Sequence, residues 1–139
     1  FTLVRHPILW LRSFWAYRNN SSWSINPRAV NYWPVIVGLT QWAAGSTWTE
    51  FVDLLVTHQI DIVSIVYSLY QHPYVGVYKL EEIDILCRDL GIAEQPPVVH
   101  ETPNKPDLTL CDVEKLTYVC HESMKKYGYV NDSLTDNIQ

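Results

Sequence analysis

Arg5 stands at the carboxyl end of a short apolar run, FTLV, and Pro7 opens an apolar helical pattern directly after it. Arginine presents paired N–H donors in a fixed plane, which suits the oxygens of a phosphate in a way that lysine does not reproduce. Ser13 follows eight positions later. Two α-helical turns span about 7.2 residues, so the Ser13 hydroxyl projects from nearly the same flank as the turn that carries Arg5. A phosphate lying along that flank can take the guanidinium and the hydroxyl together. A strand that delivers a cation at its carboxyl end, followed at once by a helix start, is how α/β proteins hold phosphate. The spacing alone also admits a plainer arrangement, with Arg5 in a surface ion pair and Ser13 bonded back to a helix carbonyl.

The remaining polar candidates are weaker. His6 either adds a contact beside Arg5 or caps the helix start, and capping or exposure is the expected role. His58, His72, His100 and His121 stand near no nucleophile and read as surface or locally satisfied residues. Lys79 ends a strand-like run and is expected to snorkel rather than hold an anion. The three cysteines, Cys87, Cys111 and Cys120, form no CxxC pair. Cys111 and Cys120 would sit about 13 Å apart on one helix, beyond the roughly 7 Å that a disulfide spans. No zinc spacing is present, no metal site is expected, and a reducing compartment fits best. Trp23, Trp33, Trp42 and Trp48 lie among Asn, Ser, Pro and Gly. Flat aromatic faces in such company suit a sugar or an aromatic acceptor, and they equally suit a cover over the core.

The elements that must position these groups alternate between strand and helix. Residues 1–4 read as a buried strand and residues 7 to 17 or 18 as a helix that ends before Asn19-Asn20-Ser21-Ser22. Its apolar side chains cover nearly the full circumference, so it must be packed on several sides. Residues 19–48 read as irregular, with a short helix near 35–42. Residues 49–58 form a helix capped by Thr49, and 61–71 form another, with a strand as the rival assignment. Residues 74–79 give the second strand, and 81–90 a helix stopped by Gly91. A proline-rich connection over 92–108 leads to a helix over 112–127, whose end suits Gly128. The tail from Asn131 is polar and expected to fray. This alternation predicts an α/β class, a short parallel sheet flanked by helices, in one unit over residues 1–130.

The bulk numbers bound the function. The 139 residues, 47% hydrophobic, suit a single domain with a real core. A formal net charge of -5 excludes a global basic field for nucleic acid or an anionic membrane. No apolar run approaches the roughly 20 residues of a spanning helix, and no signal-peptide pattern opens the chain. The sole methionine is Met124 and residue 1 already lies in a strand-like run, so the chain reads as an excerpt of a longer protein. Such an excerpt is expected to expose an apolar sheet edge and to self-associate.

VRHPILWLRSFWAYR resembles the 3′-phosphate-binding segment of the sulfotransferases that use 3′-phosphoadenosine 5′-phosphosulfate. In that family a strand ends in Arg-x-Pro and a serine follows at the same offset; Arg5, Pro7, Ser13 and Tyr17 match. Val77-Tyr78-Lys79-Leu80-Glu81-Glu82-Ile83 is similar to the family's second strand end, and Leu90-Gly91 follows in place. Asn104 and Tyr127-Gly128-Tyr129 resemble its closing pattern. The resemblance implies a partial P-loop-type fold over residues 1–130, with Arg5 and Ser13 binding the nucleotide's 3′-phosphate. It implies transfer of a sulfuryl group to a hydroxyl or amine, with a carbohydrate or small molecule as acceptor and part of its pocket in residues 19–48. It makes Glu81 a structural tie between the second strand's end and neighbouring backbone N–H groups. The fit is closer to the carbohydrate and bacterial-type branches. The family's 5′-phosphosulfate loop and catalytic His or Glu precede Arg-x-Pro, so no residue here is assigned to catalysis. Its Arg-Lys-Gly stretch has no counterpart, and Leu80 replaces a frequent tyrosine. Two rivals stay open: a non-catalytic interaction domain on the same fold, and another P-loop enzyme such as a kinase. Cytoplasm and Golgi lumen both remain open as compartments.

Overall fold

The computed structural model describes residues 1–20, 38, 41–69, 72–73, 75–93, 104–130 and 134. Strand β1 (Thr2–Val4) pairs in parallel with β2 (Val77–Lys79), in the register Thr2↔Val77, Leu3↔Tyr78, Val4↔Lys79. The expected parallel pairing holds. β2 is shorter than the expected 74–79, because Val75 N–H turns back to the His72 carbonyl at 2.9 Å before the ladder begins.

Helix α1 (Pro7–Asn20) starts at a proline whose missing N–H costs nothing there. It runs past the expected stop at residue 17 or 18. Asn19 staples the extra turn: its Nδ2 donates to the Trp15 carbonyl (2.9 Å) and the Ala43 carbonyl (2.7 Å), and its Oδ1 accepts from Gly45 N–H (2.9 Å). Ile8, Leu11 and Ala16 are buried, and Leu9, Trp10, Phe14 and Trp15 pack partly buried against the core. The helix is packed on several sides, as its composition required.

Helix α2 (Trp48–His58) is capped by Thr47, whose side chain accepts from Glu50 N–H, and not by Thr49 as expected. Trp48 has to be inside the helix. Its buried ring meets Trp15 edge-on at 6.0 Å, and its Nε1 donates to Asp112 Oδ2 at 3.2 Å. Helix α3 (Ile62–Ser68) follows, with Asp61 as its cap, so the helical assignment of this stretch stands over the strand. After β2 comes one 3₁₀ turn (Leu80–Glu82) and then α4 (Ile83–Asp89), where a single helix over 81–90 was expected. Gly91 closes α4 at φ 70°. The Ile92 N–H then reaches the Cys87 carbonyl at 2.7 Å.

The expected helix over 112–127 is two helices, α5 (Leu110–Val119) and α6 (His121–Lys126). Thr109 and Asp112 form a reciprocal capping box at the start of α5. The break at Cys120 has a long-range cause. Ser123 N–H, which would continue the ladder, donates instead to Asp61 Oδ2 at 3.0 Å, and Ser123 Oγ donates to Asp61 Oδ1 at 3.1 Å. Gly128, at φ 77°, ends α6 as expected. The architecture is mixed α/β, mostly helical, with a short two-stranded parallel sheet among the described residues. Val4, Ile8, Leu11, Phe51, Leu55, Val63, Leu116 and Tyr129 lie in one continuous core. Leu134 joins that core, and the other residues of the tail expected to fray lie outside the described residues. On α5, Leu116 and Val119 are buried while Thr117 is exposed. Among the described residues no single helix is long and apolar enough to cross a membrane.

Candidate functional site

The segment from Arg5 to Pro7 is held donor by donor. Thr2 N–H bonds the Gly76 carbonyl across the ladder, so by strand alternation the Arg5 backbone groups face the edge of β1 away from β2. Arg5 N–H donates to Tyr67 Oη at 2.9 Å, and the Tyr67 hydroxyl donates back to the Arg5 carbonyl at 3.4 Å. His6 N–H donates to Glu81 Oε1 at 2.8 Å. Pro7 has no N–H to satisfy. Ile8 N–H donates to His6 Nδ1 at 3.3 Å. His6 is therefore a buried helix cap, and its expected exposure is corrected.

From this fixed backbone the Arg5 side chain reaches along α1, and its Nη1 donates to Ser13 Oγ at 3.0 Å. The two groups predicted to converge do so. As acceptor, Ser13 keeps its own O–H to give, and the guanidinium keeps further N–H donors. Both residues line an open groove of about 390 Å³, with Leu3, Trp10, Phe14, Tyr17, Tyr67 and Leu80 as its apolar and aromatic walls. Trp10 and Phe14 stack at 5.0 Å, and Tyr67 meets Trp10 edge-on at 6.2 Å. Among the described residues no carboxylate forms an ion pair with Arg5. The Arg12 guanidinium is held below its usual value, first by burial and then by repulsion from Arg5, with Asp107 opposing the shift. Burial pushes the Tyr67 hydroxyl up to about 12, so it stays a protonated donor at neutral pH.

Glu81 performs the tying role expected of it. While Oε1 accepts from His6, Oε2 accepts from the Tyr129 hydroxyl at 2.8 Å, joining β2's end to the segment after α6. Lys79 is engaged elsewhere: Nζ donates to the Gly128 carbonyl at 2.7 Å and sits 4.4 Å over the Tyr129 ring. Of the tryptophans, Trp48 is core, and Trp42 lies against His58 at 5.0 Å. Trp23, Trp33 and His100 lie outside the described residues, as do most of the stretch assigned to an acceptor pocket and most of the short helix expected near 35–42. His58, His72 and His121 are exposed. Cys87 and Cys120 are buried, Cys111 is exposed, and all three are free. Among the described residues no group of three His, Cys, Asp or Glu side chains gathers as a metal would require. Tyr67 is the site residue that sequence reasoning missed. It reaches Arg5 across 62 residues, and no local motif marks it.

Compared with models of known families, with curated proteins and with solved structures, the chain matches none.

Proposed function

We propose that the groove beside Arg5 and Ser13 binds the 3′-phosphate of 3′-phosphoadenosine 5′-phosphosulfate, and that the chain is the nucleotide-holding portion of a sulfotransferase-type domain. The observation that carries this reading is the 3.0 Å contact between the Arg5 guanidinium and Ser13 Oγ on the wall of an open groove. The Arg5 guanidinium, in an ion pair with no carboxylate among the described residues, has N–H donors beyond its bond to Ser13 to offer an anion that carries two charges. The residues fit such a group. Arg5 and Ser13 both line the groove, and its aromatic walls suit the flat base that a nucleotide attaches to its phosphate. A volume of about 390 Å³ lies within the range of small-molecule sites.

The nucleotide supplies the sulfuryl group when bound. This chain's residues bind and orient its 3′ end: Arg5 with paired donors, Ser13 with its hydroxyl, and Glu81, Tyr67 and His6 by fixing the backbone from which Arg5 projects. The acceptor, a hydroxyl or amine on a carbohydrate or small molecule, belongs to the same proposal, as does a P-loop-type fold around the sheet. No residue of this chain is assigned to the transfer step. Calorimetric titration with adenosine 3′,5′-bisphosphate and with adenosine 5′-monophosphate tests the reading. Tighter binding of the bisphosphate, by about tenfold or more, supports a 3′-phosphate seat. Equal affinities, or none, refute it.

A further inference from the structure

We propose that Tyr67 is the positioning residue of this site: its hydroxyl holds the backbone of Arg5 and so aims the guanidinium at Ser13 and at the anion. The identity of the anion rests on the reading above; the positioning role does not.

Backbone accounting carries the argument. Thr2 N–H bonds the Gly76 carbonyl, so by strand alternation Val4 also faces β2. The Arg5 N–H and C=O face the other edge of the strand, where no further strand pairs among the described residues. A partly buried N–H and C=O left unpaired would cost free energy or would seek other partners and turn the strand end. A phenol is one of the few side-chain groups that can both accept and donate at a single atom. Tyr67 Oη does both, at 2.9 Å to the Arg5 N–H and 3.4 Å to its carbonyl. The ring cannot easily swing away. Tyr67 is 5% exposed, and it is clamped edge-on by Trp10 at 6.2 Å and by Tyr127 at 5.2 Å. α3 thus reaches across the core to set the direction of a side chain at the end of β1. Arginine carries large rotamer entropy, and an anion bound by a loosely held one must order it first. Holding the backbone in advance lowers that cost.

Tyr67→Phe keeps the ring and removes only the hydroxyl. At a temperature where the variant remains folded, affinity for adenosine 3′,5′-bisphosphate is expected to fall about five- to tenfold, the size of one lost hydrogen bond. Hydrogen exchange at the Arg5 amide should accelerate by about tenfold or more while the Val4 amide stays unchanged. A merely structural loosening would accelerate both. Added to Arg5→Ala, the same change should alter the residual affinity by less than about twofold, because its effect passes through Arg5. Unchanged affinity in a wild-type protein that binds, or unchanged exchange at Arg5, would overturn the proposal. If the wild type takes up no nucleotide, the sulfotransferase reading falls, and the Arg5 amide still decides the role of Tyr67.

Discussion

Arg5 Nη1 lies 3.0 Å from Ser13 Oγ, although the two residues are eight positions apart and Arg5 precedes the helix that carries Ser13. A strand end and the second turn of α1 are thereby locked together through a group that retains donors for a further partner. The contact is a brace, and in the proposed reading it is also one side of an anion seat.

Ser13→Ala removes the brace and one donor but no core packing, since Ser13 is only partly buried. Melting temperature should change little. Affinity for adenosine 3′,5′-bisphosphate should weaken about three- to tenfold by calorimetry, as expected for one hydrogen bond to a charged group. A large stability loss with intact affinity would make the pair purely structural.

Glu81 joins the His6 backbone to the Tyr129 hydroxyl through its two oxygens. Glu81→Ala should cost about 2 kcal/mol in urea denaturation, and Tyr129→Phe about 1 kcal/mol. The double variant should lose less than the sum, because both changes remove the same bond.

Asp61 caps α3 by accepting from Ser64 N–H at 3.0 Å, and its carboxylate also takes the N–H and hydroxyl of Ser123. Replacing it by alanine removes all three bonds. Asp61→Ala should cost roughly 2–3 kcal/mol. A value below about 0.5 kcal/mol would show that neither helix depends on it.

What was legible in the sequence follows from the range of the interactions. The Arg5–Ser13 convergence was readable from the eight-residue spacing together with the family resemblance, since the spacing alone also admitted a surface ion pair for Arg5. Gly91 and Gly128 were readable as helix ends because a left-handed residue is a local requirement. The parallel pairing followed from the alternation of elements. Three features were not readable, and each depends on a distant partner. Thr47 rather than Thr49 caps α2 because Trp48 must reach Asp112. One helix becomes α5 and α6 because Asp61 captures Ser123. Tyr67 serves Arg5 from the far side of the core. Glu81 was legible through a family resemblance, since nothing in its local pattern points to His6 or Tyr129.

The Tyr67 hydroxyl, with an ordinary value near ~10, is pushed up to about 12, chiefly by burial. Because the folded value lies above the unfolded one, its stabilising contribution is complete below about pH 10 and is lost as pH rises through about 12. Tyr67→Phe should therefore be less stable than the wild type at about pH 8, and the gap between them should narrow above about pH 10. Melting curves across that window check this. A gap that widens with pH would contradict the burial of this hydroxyl.

The central claim is that Arg5 seats a phosphate, and calorimetric titration of the wild type and Arg5→Ala with adenosine 3′,5′-bisphosphate tests it most directly. The account predicts saturable binding by the wild type and a loss of about tenfold or more in the variant, with the fold intact. Equal affinity in the two proteins would contradict it.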